Sequence, residues 1–353
     1  MRPIVLLAAC LLVAALVSAG VTLAVLQLQS RTNTQQVNLR SGVTISEDSA
    51  IVQAAAKARP AVVSVVTQQQ PAVVRGSGYL ATTDGYIVTN IDVIAGASGM
   101  TVLIPGDVKL YAARLVDYDC QTGVAVIKID KVSGLPTLAF ADPTALVQGQ
   151  VLVAVAGPFE GGAVTPGYVT AMHRTVSVTN PANITQAIEI SDTVQTNALI
   201  DTGTSGGPLL NVGGQVIGVA MQAQPQASTS GFGLNVADIQ DDVQQILQTG
   251  QVVVSSLGAT GTDLSPEMAS IDGAPEGSQL VSVDKAGPAA AAGLQPGDVI
   301  TQIDDVKLDA AHPLRLLLRS RFHPNQKITV TYSRQGASTQ VQVTLGGQHP
   351  TCA

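Results

Sequence analysis

Residues 203–208 read GTSGGP, inside the longer stretch VQTNALIDTGTSGGPLLNVGGQVIGV at 194–219, and the reading of this glycine-flanked serine decides the fold. Taken literally, G-T-S-G-G fits the G-x-S-x-G nucleophile elbow, which needs a strand before the serine and a helix directly after it. Here Ser205 is followed by Gly206, Gly207 and Pro208, then by LLN and the run QVIGVAM. Two glycines are poor helix starters, and a β-branched run predicts a strand. Ser205 therefore belongs to a turn between strands. Such a turn is either a plain connection or the seat of a nucleophile whose neighbouring amides cradle an oxyanion.

The flanking sequence supports an all-β setting. AVVSVV, GYLAT, YIVTN, MTVLI, VAVIKI, VLVAVA, YVTAM and VIGVAM follow one another with Gly, Pro, Asp and Asn between them. Short β-branched runs with turn signals, and no long helices alternating with them, predict a barrel or sandwich. A helix is expected from about Glu47 to Ala58, ahead of Pro60, and a second over ADIQDDVQQILQTG. In the second, Ile239, Val243, Ile246 and Leu247 share one face and Gly250 ends the helix. From Val252 to about Gly346, the strands QLVSV, DVITQI, KITVTYS and TQVQVTL surround a helix near HPLRLLLRSRF, whose Leu314, Leu317 and Leu318 read as core; this is a small α+β module.

Ahead of these units, no residue from Pro3 to Ser30 is charged. The run exceeds the ~20 apolar residues that cross a bilayer. The expectation is a single-pass anchor over 1–30, with the bulk of the chain extracytoplasmic because Arg2 precedes the span. A cleavable signal peptide and a lipoprotein box at LAAC are the competing readings. Residues 31–46 read as a flexible stalk. Net charge is −7, with 12% charged residues and no basic cluster, which argues against nucleic acid as a partner. The three cysteines, Cys10, Cys120 and Cys352, form no recognisable disulfide framework or metal-ligand spacing, and no cofactor motif is present.

Several of these stretches together resemble the HtrA (Deg) family of trypsin-fold serine proteases. VQTNALIDTGTSGGPLLNVGGQVIGV resembles the family's nucleophile region and RGSGYLATTDGYIVTN its first barrel. QVLVAVAGPF and VTPGYVTAMHR resemble the opening of its second barrel, and GFGLNVADI the strand into its last helix. SSLGATG and AGPAAAAGLQPGDVITQIDD resemble the carboxylate-binding loop and core of a PDZ domain. The resemblance implies a mainly β architecture: a double six-stranded trypsin-like barrel over 47–250 followed by a PDZ domain over 251–347. It also implies an oxyanion hole at Gly203 and Ser205, and a peptide carboxylate held at Leu257, Gly258 and Ala259. The family often has an arginine where this chain has Val254. Many members form trimers through aromatic contacts that this chain, with no aromatic residue before Tyr79, does not supply, so its oligomeric state stays open.

The catalytic positions depart from the family pattern. Its histidine lies in T-N-x-H-V-V, which here reads Thr89, Asn90, Ile91, Asp92, Val93, Ile94; its aspartate position in DCQTGVAVIKI is Gly123. A carboxyl with a reference pKa of about 3.9 is a weaker base than imidazole and a poor proton source at neutral pH. Gly123 has no side chain to orient a base. Of the other candidates, His312, His323 and His349 lie in or after the C-terminal module, and His173 reads as a solvated strand-end residue. Three roles stay open: a pseudoprotease that binds unfolded segments or C-terminal peptides as an adaptor, sensor or chaperone; a low-activity serine endopeptidase acting through Ser205; and a structural or assembly role at the membrane.

Overall fold

A computed structural model describes residues 46–69, 72–222, 230–309, 312–350 and 352. The anchor and stalk expected before residue 46 lie outside them. Among the described residues no helix is long and apolar enough to cross a membrane.

Helix α1 (Ser46–Ala58) is closed by Pro60 in the turn that follows, as expected. Two closed barrels come next. The first is formed by β1 (Val62–Gln69), β2 (Ala72–Leu80), β3 (Tyr86–Asn90), β4 (Gly99–Leu103), β5 (Leu110–Tyr118) and β6 (Val124–Ile129), with strand order β1-β2-β3-β6-β5-β4. The second comprises β7 (Val151–Val155), β8 (Val164–Thr179), β9 (Ala187–Thr196), β10 (Pro208–Leu210), β11 (Val216–Met221) and β12 (Gly231–Asn235), in the order β10-β11-β12-β9-β8-β7. Closure leaves neither barrel with an open edge. Runs read as strands, such as β6, which includes Lys128, and the apolar β11, are buried along their whole length. The surface strand β5, LYAARLVDY, is interrupted by Arg114 and Asp117 and nowhere fully buried, and the apolar runs did not reveal it.

His173 is not at a strand end. Strand β8 continues to Thr179, and His173 lies inside it at φ 54, where the pairing with β9 shifts register. A short helix, α2 (Ile91–Ile94), follows β3, capped by Asn90. Helix α3 (Val236–Thr249) starts at an Asn235 cap and ends where Gly250 adopts φ 83 and donates its amide to Ile246 O. Ile239, Val243 and Ile246 are fully buried beneath it.

The C-terminal module contains β13 (Val254–Ser256), β14 (Ala259–Leu264), α4 (Pro266–Asp272), β15 (Gly277–Val283), α5 (Pro288–Ala291), β16 (Val299–Ile303), β17 (Val306–Lys307), α6 (Leu314–Arg321), β18 (Lys327–Arg334), β19 (Ala337–Thr344) and β20 (Gly346–Gln348). Its main sheet runs β14-β15-β16-β18-β19, with β14 at one edge, while β20 returns to pair with β13. Leu314, Leu317 and Leu318 are buried in its core.

Residues 46–353 form one compact unit in which this module is tied to the barrels. Arg319 of α6 pairs with Asp119 at 2.6 Å and also with Asp242 of α3, and Thr122 donates to the same Asp242 at 2.8 Å. Asp117 accepts from the Val252 amide at 2.7 Å and meets His349 Nε2 at 2.8 Å. The expectation of no disulfide is corrected: Cys120 and Cys352, 232 positions apart, are bonded, with Cα atoms 5.2 Å apart. Sequence spacing could not show this, because the tail returns to the first barrel across the whole C-terminal module.

Asp119 is fully buried and the Arg319 side chain is 12% exposed. Removing the guanidinium strands two buried carboxylates, so Arg319→Ala is expected to lower stability by about 3 kcal/mol in urea titrations of the full chain. A loss under about 1 kcal/mol would show a pair screened like a surface bridge.

Candidate active site

The turn around Ser205 is wedged between the barrels. The Ser77 amide on β2 donates to Ser205 O at 2.8 Å, the Ser77 hydroxyl donates to Gly203 O at 2.5 Å, and the Gly157 amide after β7 donates to Ser77 Oγ at 2.8 Å. The Gly206 amide donates to Ala220 O at 2.8 Å. Gly206 sits at φ +83, and a Cβ there would lie 2.2 Å from Thr89 Oγ1 and 2.3 Å from Ser77 O. At Gly207 it would lie 2.5 Å from Val155 O. These glycines are required because backbone from both barrels passes directly against the turn.

Ser205 is 3% exposed. Its hydroxyl oxygen receives a hydrogen bond from Asn90 Nδ2 at 2.8 Å; the same amide group donates to Ala220 O at 3.0 Å. Asn90 Oδ1 accepts from the Val93 amide at 3.0 Å, which caps α2 and fixes which end of the side chain faces the serine. An amide donor cannot take the serine's proton. Asn90 was not singled out in the sequence, although a capping asparagine at the start of a short helix is the kind of signal that could have marked it.

Asp92 lies two residues further on, in the first turn of α2. Its Oδ1 accepts from the Thr179 amide at 3.1 Å, and its Oδ2 is buried without a hydrogen-bond partner. Burial pushes its pKa up to about 6, and the Thr179 hydrogen bond only partly opposes this. Asp92 and Ser205 line one cavity of about 330 Å³ together with Gln69, Thr179, Ile184 and Gln222. Gly123 does not join them. It sits at φ +79, and a Cβ there would meet Leu234 at 3.1 Å and Ile190 at 3.3 Å. An apolar wall thus occupies the space where an orienting carboxylate would be needed.

The Ser205 amide donates to Asp201 O at 2.9 Å, and the Thr204 amide to Asp201 Oδ1 at 2.8 Å. Residues 201–205 are wound into a tight turn, so the Ser205 amide is engaged rather than free to receive an oxyanion. Gly203 lies beneath the Glu160 side chain, which a Cβ would meet at 2.3 Å. The four histidines lie elsewhere: His173 pairs with Asp192, His312 with Asp309 and His349 with Asp117, while His323 follows α6.

In the C-terminal module, Leu257 is buried and Ala259 opens the edge strand β14. The Gly258 amide donates to Ser256 Oγ at 2.9 Å, and that hydroxyl donates to Gln348 Oε1 at 2.8 Å. A groove of about 320 Å³ runs between β14 and α6, lined by Leu257, Ala259, Leu314 and Leu318 and also by Gln121 of the first barrel.

Paired six-stranded barrels with a serine turn between them, followed by a smaller module whose six-stranded sheet has a groove beside its edge strand, define a trypsin-fold domain joined to a PDZ domain. Residues 76–219 match the family described as trypsin-like peptidase domain, and residues 216–345 match the PDZ domain family. The chain is 35% identical over 278 residues to a protein of Halomonas elongata named probable periplasmic serine endoprotease DegP-like, covering 77% of this chain and 56% of that one. It is also 35% identical over 279 residues to the serine protease Do-like HtrA of Lactococcus lactis subsp. cremoris, covering 74% of this chain and 67% of that one. A solved structure of the HtrA-type protease AlgW with decapeptide superposes with a TM-score of 0.68 at 28% identity, covering 85% of this chain and 99% of that one. The chain belongs to the HtrA family of trypsin-like serine proteases with a PDZ domain. It spans little more than half the length of the Halomonas relative.

Asp92 has a folded-state pKa above its unfolded value, so the folded state holds the proton longer and stability falls as pH rises from about 4 to about 6. Asp92→Asn is expected to stabilise the protein by up to about 3 kcal/mol at pH 8 and to change little at pH 4, read from denaturant midpoints. Equal effects at both pH values would contradict the burial argument.

Proposed function

We propose that this chain is an extracytoplasmic, membrane-anchored HtrA-family protein that binds polypeptide without routine cleavage. Residues 1–30 would anchor it, 31–46 would form the stalk, and 47–250 and 251–347 would be the two binding domains. Its protease-fold cleft would take unfolded segments and its PDZ groove exposed C-termini, as an adaptor, sensor or chaperone in envelope protein quality control. The periplasmic designation of the Halomonas relative supports the extracytoplasmic placement. The observation that carries the reading is the hydrogen bond from Asn90 to Ser205 Oγ, in a chain whose four histidines lie elsewhere. In serine proteases, loss of the base alone removes on the order of 10⁶ in kcat, while oxyanion donors and binding retain roughly 10³ to 10⁴ over water.

The second reading, a low-activity serine endopeptidase acting through Ser205, is favoured by the relatives, which are named serine proteases and endoproteases. Asp92 also supports it: a carboxyl titrating near pH 6 in the same cavity is a better base and a better acid than an ordinary aspartate. Under that reading, hydrolysis would peak near pH 6.

The purified full chain is challenged with a fluorophosphonate probe and with unfolded casein between pH 5 and pH 8. Binding of casein without cleavage or labelling is expected. Labelling and cleavage that both vanish in Ser205→Ala would establish the endopeptidase instead. Asp92→His with Gly123→Asp is expected to stay inactive, because the left-handed backbone and the Leu234 wall oppose a side chain at Gly123. For the PDZ groove, held here to capture a carboxylate at Leu257, Gly258 and Ala259, amidating a bound peptide's C-terminus should abolish its binding.

A further inference from the structure

Both cysteines of the disulfide are neighbours of residues that line the PDZ groove. Gln121 follows Cys120 and Pro350 precedes Cys352 by two positions; both face the space between β14 and α6. The same tail controls the groove's polar end. Gln348, on β20, holds the Ser256 hydroxyl, and that hydroxyl occupies the Gly258 amide. Beyond β20 the described tail residues reach the barrels as well as the groove: His349 meets Asp117, Asn180 Nδ2 donates to Cys352 O at 3.4 Å, and the disulfide closes the run. Cys120 belongs to the segment that also carries Asp119, the partner of Arg319 on the groove's own helix, and Gly123. One covalent bond thus holds the rim of the groove against the loop that passes the catalytic positions.

We propose that the Cys120–Cys352 bond is a thiol–disulfide exchange site for a dithiol reductant, and that its cleavage releases the tail and opens the PDZ groove. Cys120 is 5% exposed whereas Cys352 is partly exposed, so the incoming thiolate attacks Cys352 Sγ. The Sγ–Sγ bond breaks, and Cys120 leaves as a thiolate that takes a proton. The reductant's second thiol then attacks the mixed disulfide and frees Cys352 as a thiol. Two electrons and two protons pass to the protein, and the dithiol becomes a disulfide. The bond persists in an oxidising compartment and opens only where a dithiol donor is supplied. Once it is open, the described tail residues are left with the His349 contacts to Asp117 and the Tyr118 ring and the long Asn180 hydrogen bond, so Pro350 can leave the groove wall and Gln121 is no longer fixed opposite it.

The latch draws its consequence from the peptide-reading role of the groove, but it can be measured without a peptide. Hydrogen–deuterium exchange of the full chain is compared for the oxidised protein, the protein reduced with dithiothreitol, and Cys352→Ser. Faster exchange at 119–123, 257–264 and 314–321 after reduction, reproduced by Cys352→Ser without reductant, is the expected result. Unchanged exchange in these three segments overturns the proposal. In parallel, a fluorescent hexapeptide ending in a free valine carboxylate is titrated against the same three samples. If the oxidised groove is open for a tenth of the time or less, reduction should tighten binding about tenfold or more. Equal affinity in all three samples also overturns the proposal. Faster exchange with no peptide binding in any sample upholds the latch and removes the carboxylate-reading role instead.

Discussion

The arrangement depends on a turn that two barrels must share. Neither barrel can bury the 203–208 segment alone: its carbonyls are taken by Ser77 of the first barrel, and its glycines let Thr89 and Val155 backbone and side-chain atoms approach from opposite sides. Buried backbone groups must be paired, and a Cβ at Gly206 or Gly207 would break that pairing sterically. The glycine-rich signature of a nucleophile turn is therefore also a folding requirement. It survives in this chain whether or not the serine reacts.

Around that fixed turn, the chemistry rests on α2. An asparagine that caps the helix with its oxygen has only its nitrogen left to offer the serine, so Ser205 Oγ acts as an acceptor. Asp92 enters the same cavity with a desolvated carboxyl, and Leu234 and Ile190 form an apolar wall beside Gly123. Gly123, with its left-handed backbone, is packed against apolar side chains where a charge would be buried without a partner.

At the other end of the molecule, the PDZ module is held by charge and by a covalent bond together. A buried arginine between two carboxylates costs desolvation that only good geometry offsets, so such a pair specifies one docking arrangement more than it adds stability. Burial pushes the pKa of Asp242 up against the opposing pull of the Arg319 charge, so proton uptake by this carboxyl would weaken the ionic contact. The disulfide is indifferent to that proton. The two fastenings therefore answer to different conditions.

The sequence alone determined what depends on short-range pattern. β-branched runs between turn residues announced the barrels, the period of Ile239, Val243 and Ile246 announced the helix that follows them, and the motif letters located Ser205, Asp92 and Gly123. Surface strand β5 escaped because Arg114 and Asp117 break its apolar residues into short pieces, and β8 ran past His173 because a register shift absorbs its left-handed backbone. Only the tertiary structure decided which group faces the serine, what fills the space beside Gly123, and that Cys120 and Cys352 meet across 232 positions. Those are contacts between distant segments, and a hydrogen bond or a disulfide depends on where two chains cross in space, which local spacing does not encode.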